Sequence, residues 1–198
     1  MYITENLNWQ THICYLCNNL SKYVFVIKSV KNIFSSHVLW NIYFAYFHAQ
    51  LRCGIILWGG AKESIKALRI QKKVIRLITG LKRLESCRLK FKENRILTVT
   101  SIYILEVLCY IKKHKDDLKK NCEIHNHNTR NKYDLHTHPH NTSQLKKSVL
   151  HMGVRLYKQL HLRIKNIDKY NGFRKEVKST LLKKMIYSLE EYLQAKLE

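Results

Sequence analysis

The apolar residues of this chain recur every three or four positions along most of its length, which is the period of an amphipathic helix. This pattern predicts a first helix from about residue 8 to 31, with Asn8 as its N-cap. It predicts a second helix that begins near Ser35 or Ser36 and runs towards Gly54. Alternation of β-branched residues is sparse, and six glycines and one proline leave long stretches unbroken. The sequence therefore predicts a mostly α-helical fold.

Residues 62–79 form the most informative of these helical windows. Gly59 and Gly60 precede the window, and Gly80 follows it as a predicted C-terminal cap. Its apolar residues share one side of a helix: Ala67, Ile70, Val74, Leu77 and Ile78. Its basic residues fall within an arc of roughly 80° on the other side: Lys62, Lys66, Arg69, Lys73 and Arg76. We expect a packed helix with a positively charged outer face.

Beyond this helix the sequence divides into contrasting segments. A short turn is expected around residues 87–93. Residues 98–111 are apolar on nearly every side, which is typical of a helix in the middle of a bundle. Residues 114–143 are rich in Lys, Asp, Asn and His and contain the only proline, Pro139. Two or three further amphipathic helices follow this polar segment.

Together these segments predict an irregular helical bundle with a polar His-rich loop and a C-terminal helical extension. The expected boundaries are residues 1–114 for the bundle, 115–143 for the polar linker and 144–198 for the extension.

The net charge changes the interpretation of the basic helix. The 198 residues include 36 basic and 14 acidic side chains, a formal net charge of +22, which is far more than solubility requires. Residues 61–120 hold 17 of the basic and six of the acidic residues, a net charge of +11. A solvated lysine face would explain the pattern of an isolated helix. The charge of the whole chain favours a polyanionic partner instead.

Cysteine and histidine raise the alternatives of a disulfide framework and a metal site. We expect reduced thiols because the sequence shows no export signal, which also predicts an intracellular location in the nucleus or cytoplasm. Cys14 and Cys17 form a Cys-x-x-Cys pair but lie in an apolar helical pattern, where cysteine is a small core residue. The polar loop contains further potential ligands: Cys122, His125, His127, His136, His138 and His140. Their spacing matches no common zinc finger, so we expect neither a metal nor another cofactor.

A membrane span is a further alternative for residues 33–50, which contain no Lys, Arg, Asp or Glu. His37, Asn41, His48 and Gln50 interrupt this stretch. Polar residues at such positions favour a buried helix over a helix in lipid.

No arrangement of residues predicts independent catalysis. The sequence contains no glycine-rich phosphate loop, no Gly-x-Ser-x-Gly motif and no His-Glu-x-x-His motif. Asp116 and Asp117 are adjacent, but they lie among lysines at the edge of the polar loop. Phosphoryl transfer with two metal ions needs a rigid cage of carboxylates, and nothing in the sequence predicts one.

A series of short motifs extends over nearly the whole chain, and their order along the sequence can be compared with that in known families. They are residues 6–9 (Asn-Leu-Asn-Trp), 12–13 (His-Ile), 46–59 (ending Gly-Ile-Ile-Leu-Trp-Gly), 68–80 (ending Ile-Arg-Leu-Ile-Thr-Gly), 85–88 (Glu-Ser-Cys-Arg), 91–93 (Phe-Lys-Glu), 96–98 (Ile-Leu-Thr), 127–132 (His-Asn-Thr-Arg-Asn-Lys) and 152–157 (Met-Gly-Val-Arg-Leu-Tyr). In this order they resemble the C-terminal part of reverse transcriptases from jockey-like non-LTR retrotransposons. Leu160 and His161 depart from the Leu-Pro pair that is usual in that family.

The resemblance implies a thumb-like helical region in residues 1–114, the part of an RNA-directed DNA polymerase that grips template and growing strand. The family's catalytic aspartates, including a Tyr-x-Asp-Asp motif, precede the matching part. The resemblance therefore assigns no catalytic residue here, and Mg²⁺ is expected only in a full-length parent enzyme. The implied partner is an RNA–DNA hybrid or duplex, bound without sequence specificity. The candidate contact residues are Lys62, Lys66, Arg69, Lys72, Lys73, Arg76, Arg83, Arg88 and Arg130.

Two other hypotheses stay open. A basic helical protein could bind anionic membrane surfaces or protein partners through the apolar residues 33–58. Alternatively, the chain is a non-functional remnant of a mobile element. Its helices would then have evolved to pack against a polymerase palm that is absent.

Overall fold

Helices account for the regular structure of the chain, as the sequence pattern predicts. The computed structural model describes residues 1–5, 8–125, 130, 132–137, 139 and 141–194. In chain order the helices are α1 (Gln10–Val30), α2 (Ser36–Ile42), a π-helical segment (Tyr43–His48), α3 (Ala49–Arg52), α4 (Ile55–Trp58), α5 (Ser64–Thr79), α6 (Arg88–Glu93), α7 (Val99–Lys113), α8 (Ser143–Lys146), α9 (Val149–Lys158), α10 (Leu162–Lys165), α11 (Tyr170–Lys184) and α12 (Leu189–Gln194). Short 3₁₀ turns at Lys115–Asp117 and Asn121–Glu123 follow α7. The prediction of a mostly α-helical bundle is confirmed.

The predicted end of α5 agrees with the structure, whereas the predicted N-cap of α1, Asn8, is wrong by one residue because Trp9 occupies that position. Asn8 Oδ1 accepts a hydrogen bond of 2.9 Å from the backbone N–H of Gln10, the first residue of α1. Gly80 ends α5 with a φ of 70°, and the N–H groups of Gly80 and Leu81 both donate to Arg76 O. A left-handed φ suits glycine because it has no Cβ.

The second predicted helix contains an irregularity that its periodicity does not reveal. α2 continues through the π-helical segment into α3, and the chain turns at Gly54, where φ is 59°. The buried residues of this stretch are spaced four apart: Leu39, Tyr43, Phe47 and Leu51. A strict spacing of four drifts around an α-helix by about 40° per step, and the wider π turn counters that drift. The stretch thus keeps one apolar stripe against the core.

The prediction of a short turn around residues 87–93 is wrong, because most of this segment forms helix α6. Cys87 and Phe91 are buried, and the ring of Phe91 lies edge-on to Tyr187 with centroids 6.2 Å apart. The helix packs against α5 and α11. It is too short to show a repeated apolar spacing, so the periodicity could not predict it.

Helix α7 occupies the middle of the bundle. It packs against α4, α5, α9 and α11, and its buried residues, from Val99 to Ile111, lie on every side of the helix. This confirms the position that the apolar residues 98–111 predict. The buried apolar residues form one core that extends from α1 to the C-terminal helices. The division at residues 114 and 143 stays a prediction.

Gln71 is a fully buried polar residue within this core. Its Nε2 donates to Tyr43 Oη and to Leu97 O, both at 2.9 Å. Its Oε1 accepts from the backbone N–H of Val99 at 3.0 Å. The amide of one α5 residue thereby joins the π-helical segment and the start of α7. These satisfied bonds fix the rotation of α5 against its neighbours.

Glu106 connects α7 to two other helices through ion pairs. Its Oε1 lies 2.8 Å from Arg174 Nη2 of α11 and 3.1 Å from Arg52 Nη2 of α3. Burial alone would raise the pKa of the Glu106 carboxyl, but the hydrogen bonds and charges of Arg174 and Arg52 hold it below its ordinary value. The carboxylate therefore stays ionised and paired at neutral pH.

We expect Gln71→Leu to lower the free energy of unfolding by about 2–4 kcal/mol. Leucine nearly fills the same volume, but it leaves the Tyr43 hydroxyl, the Leu97 carbonyl and the Val99 N–H without partners in the core. Urea denaturation measures the difference. The control is Gln10→Leu at an exposed position, for which a change within about 0.5 kcal/mol is expected. Equal stability of the two variants would contradict the role assigned to Gln71.

Candidate nucleic-acid interface

The buried side of α5 decides which of its basic residues face solvent. Its buried residues are Ala67, Leu68, Gln71, Val74, Ile75 and Ile78, and the helix packs against α1, α2, α6 and α7. Ile70 and Leu77, which the sequence pattern assigns to the buried side, are only half-buried. The helix is thus turned relative to the prediction, because the polar Gln71 lies at the centre of its buried side.

Three basic residues of α5 are exposed on the opposite side: Lys66, Arg69 and Lys73. Lys62, just before the helix, and Arg83, beyond its C-terminal end, are also exposed. Among the residues that the structure describes, no carboxylate forms an ion pair with any of these five side chains. We call Lys62, Lys66, Arg69 and Lys73 the basic face. Its charges are available to an external anion.

Arg76 lies at the edge of the basic face and is engaged within the chain. Its Nε and Nη2 donate to Glu85 O at 3.2 and 2.9 Å. The guanidinium holds the segment that follows Gly80 against α5. Part of its hydrogen-bonding capacity is therefore already used.

Lys72 and Arg88 are held by the ring of Tyr187. Lys72 Nζ lies 3.7 Å from the ring centroid, and Arg88 Cζ lies 4.6 Å from it. Arg88 Nη2 is also 2.9 Å from Glu191 Oε1, and Glu191 Oε2 accepts from the Tyr187 N–H at 2.8 Å. Burial lowers the pKa of the Lys72 ammonium. These contacts fasten the segment between α11 and α12 to α5 and α6.

Arg130, the remaining candidate, is exposed in a segment that is only partly described. Residues 126–129 and 131 lie outside the described residues, and so do Asn6 and Leu7 of the first matching motif. Arg130 therefore stays a prediction separate from the basic face.

Two of the potential metal ligands that the structure describes in the polar loop lie close together. The rings of His125 and His136 have centroids 5.4 Å apart, and Cys122 is exposed. The others lie outside the described residues: His127, His138 and His140. Within the part of the chain that is described, no group of three or more His, Cys, Asp or Glu side chains could hold a metal ion.

The structure also shows the state of the cysteines. All six cysteines are unpaired thiols, and on α1 Cys14 is exposed while Cys17 is half-buried. Burial raises the pKa of the Cys17 thiol.

In the described ranges no helix combines the length and the apolar character that crossing a membrane requires. Leu39, Tyr43 and Phe47 of the apolar window instead belong to the core.

Comparison of the chain with known protein families, with curated proteins and with solved structures found no match. The resemblance to reverse transcriptases rests on the order of short motifs alone, and the candidate site rests on its own geometry.

We expect Tyr187→Leu to lower the free energy of unfolding by about 1–2 kcal/mol, because Lys72 and Arg88 lose the aromatic ring that both of them contact. Tyr187→Phe is the matched control. It keeps the ring and removes a buried hydroxyl that has no hydrogen-bond partner among the described residues, so its stability should stay within about 0.5 kcal/mol of the parent. Urea denaturation measures both variants. An equal loss in the two would assign the effect to the hydroxyl rather than to the ring.

Proposed function

We propose that this chain binds the sugar–phosphate backbone of duplex nucleic acid, DNA or an RNA–DNA hybrid, through the basic face. The observation that carries the proposal is a row of exposed cations on α5 that pair with no described carboxylate: Lys66, Arg69 and Lys73. The described carboxylates make their ion pairs elsewhere. Cations without internal partners are the side chains that a polyanion can neutralise.

The spacing of these cations supports contact with a phosphate backbone. Lys66 and Lys73 are two helical turns apart, about 10 Å along the helix axis, with Arg69 between them. Like charges at such spacing repel one another by a few tenths of a kcal/mol per pair. A row of phosphates relieves this repulsion and releases counterions from the nucleic acid. Contacts of this kind fix position without selecting a base sequence.

The order of the short motifs supports a narrower form of the proposal. The chain would be the C-terminal part of an RNA-directed DNA polymerase from a non-LTR retrotransposon, and its role would be to hold template and primer. Binding, not catalysis, is the activity proposed for these residues. Translating the transcript upstream of Met1 in frame tests this form. A palm with paired aspartates would support it, and a different upstream domain would contradict it.

The direct test of the binding proposal is a salt titration with a fluorescent duplex, measured by anisotropy. The variant Lys66→Gln/Arg69→Gln/Lys73→Gln removes three phosphate contacts. The slope of log affinity against log salt should become shallower by about 2–3 units, and binding at low salt should weaken.

The matched control is Lys169→Gln/Lys175→Gln/Lys183→Gln, which lowers the net charge equally at exposed positions on or next to α11. Its slope should stay close to that of the parent. If both triple variants flatten the slope to the same extent, binding follows the overall charge of the chain and the basic face is not the interface.

A second candidate function, binding to an anionic membrane surface, is favoured by a separate observation. Phe25, Ile33 and Phe34 are 71%, 75% and 47% exposed near the end of α1 and before α2. Flotation with anionic vesicles in 1 M salt separates the two candidates. Membrane insertion of apolar side chains survives high salt, whereas attraction of the positive charge to the surface does not.

A further inference from the structure

A cavity of about 250 Å³ lies between the π-helical segment, α3, the connection from α6 to α7, α7 itself and α11. Four cations border it: Arg52, Arg95, Arg174 and Lys178. Among the described lining residues Glu106 is the one carboxylate, and the apolar residues Leu97 and Ile102 also line the cavity. The lining therefore carries an excess of three positive charges around a partly enclosed space. None of these residues belongs to the basic face.

Two of these cations form no ion pair with any described residue. Glu106 already pairs with Arg174 at 2.8 Å and with Arg52 at 3.1 Å. Within the described ranges, no ion pair joins Arg95 or Lys178 to a carboxylate. Cations that converge on one cavity repel one another more strongly than they would in open solvent. An anion in the cavity would remove that repulsion.

Arg95 occupies a backbone position that ordinarily belongs to glycine. Its φ is 51°, and it follows the C-terminal turn of α6, where Ile96 N–H donates to Phe91 O at 2.9 Å. A side chain with a Cβ is strained at this φ, whereas glycine is not. The chain nevertheless has a long cationic side chain here, directed at the border of the cavity.

His48 adds a polar group to the same lining. Its Nδ1 is buried without a hydrogen-bond partner among the described residues. Burial, together with the charges of Arg52 and Lys178, lowers the pKa of His48 to about 4. The ring is therefore neutral at pH 7, so the positive charge of the lining comes from its Arg and Lys residues. A site lined by several cationic donors suits an oxyanion with several acceptor atoms.

We propose that this cavity is a phosphate-binding site in which Arg95 and Lys178 hold the anion and Arg52 borders it. Phosphate is favoured over a carboxylate because an excess of three charges is better matched by a dianion, and a guanidinium binds phosphate oxygens in a forked geometry. The volume admits a phosphate group with a small substituent. The phosphate belongs either to a free phosphate ester or to the backbone of a bound nucleic acid.

The test is thermal unfolding with added inorganic phosphate, in an amine buffer at an ionic strength held constant with sodium chloride. For a dissociation constant near 1 mM, 10 mM phosphate should raise the Tm of the parent by about 3–6 °C. In Arg95→Gly/Lys178→Gln most of this rise should disappear. The variant should still fold, because glycine relieves the strained φ and position 178 is exposed.

The control is Lys175→Gln/Lys183→Gln, which removes two exposed cations from α11 outside the cavity. It should keep the full rise in Tm. An absent rise in the parent would overturn the proposal. An equal rise in both double variants would also overturn it, because phosphate would then act on the overall positive charge.

Duplex binding by the same variants identifies the source of the phosphate. If Arg95→Gly/Lys178→Gln loses the response to phosphate and also binds duplex about tenfold more weakly, the cavity holds a backbone phosphate. If it loses the response but binds duplex as the parent does, the cavity holds a free phosphate ester. The site shares no residue with the basic face, so failure of the cavity and failure of the proposed backbone binding are distinguishable.

Discussion

The buried amide of Gln71 is the interaction on which the arrangement of this bundle depends. Three hydrogen bonds at 2.9 to 3.0 Å attach α5 to the π-helical segment and to the start of α7. Apolar packing alone would tolerate some rotation of a helix, whereas a buried amide with several bonds has one satisfied orientation. That orientation turns Lys66, Arg69 and Lys73 to solvent and directs Lys72 under Tyr187. A core residue thereby decides which charges a partner could meet.

The sequence predicts the parts of the fold that are governed by local rules. Asn8 lies one residue before the N-cap of α1 and Gly80 ends α5, because capping and left-handed turns depend on neighbouring residues. The apolar run of α7 lies in the middle because it has no polar side to expose. Helix α6 escapes prediction because it is only six residues long. The position of Gln71 escapes it because an amide that is followed by two lysines resembles a surface residue until its distant partners are known.

The candidate site is predictable only in part, for a similar reason. Periodicity groups basic residues by helix face, but it does not show which of them the folded chain itself uses. Tyr187, which holds Lys72 and Arg88, is more than one hundred positions after Lys72. The cationic cavity is assembled from several separate elements. Contacts across such distances in sequence leave no local signal in the chain.

The π-helical segment makes one region of the chain tolerant of a change in length. Leu39, Tyr43, Phe47 and Leu51 face the core together because the wider turn of Tyr43–His48 compensates for their spacing. Losing one residue of Tyr43–His48 would let this segment close into a regular α-helix, because five α-helical residues turn through roughly the same angle as six π-helical residues. Leu39 and Leu51 would then still lie on one side of the helix. Related chains that lack one residue here should therefore keep the same apolar stripe against the core.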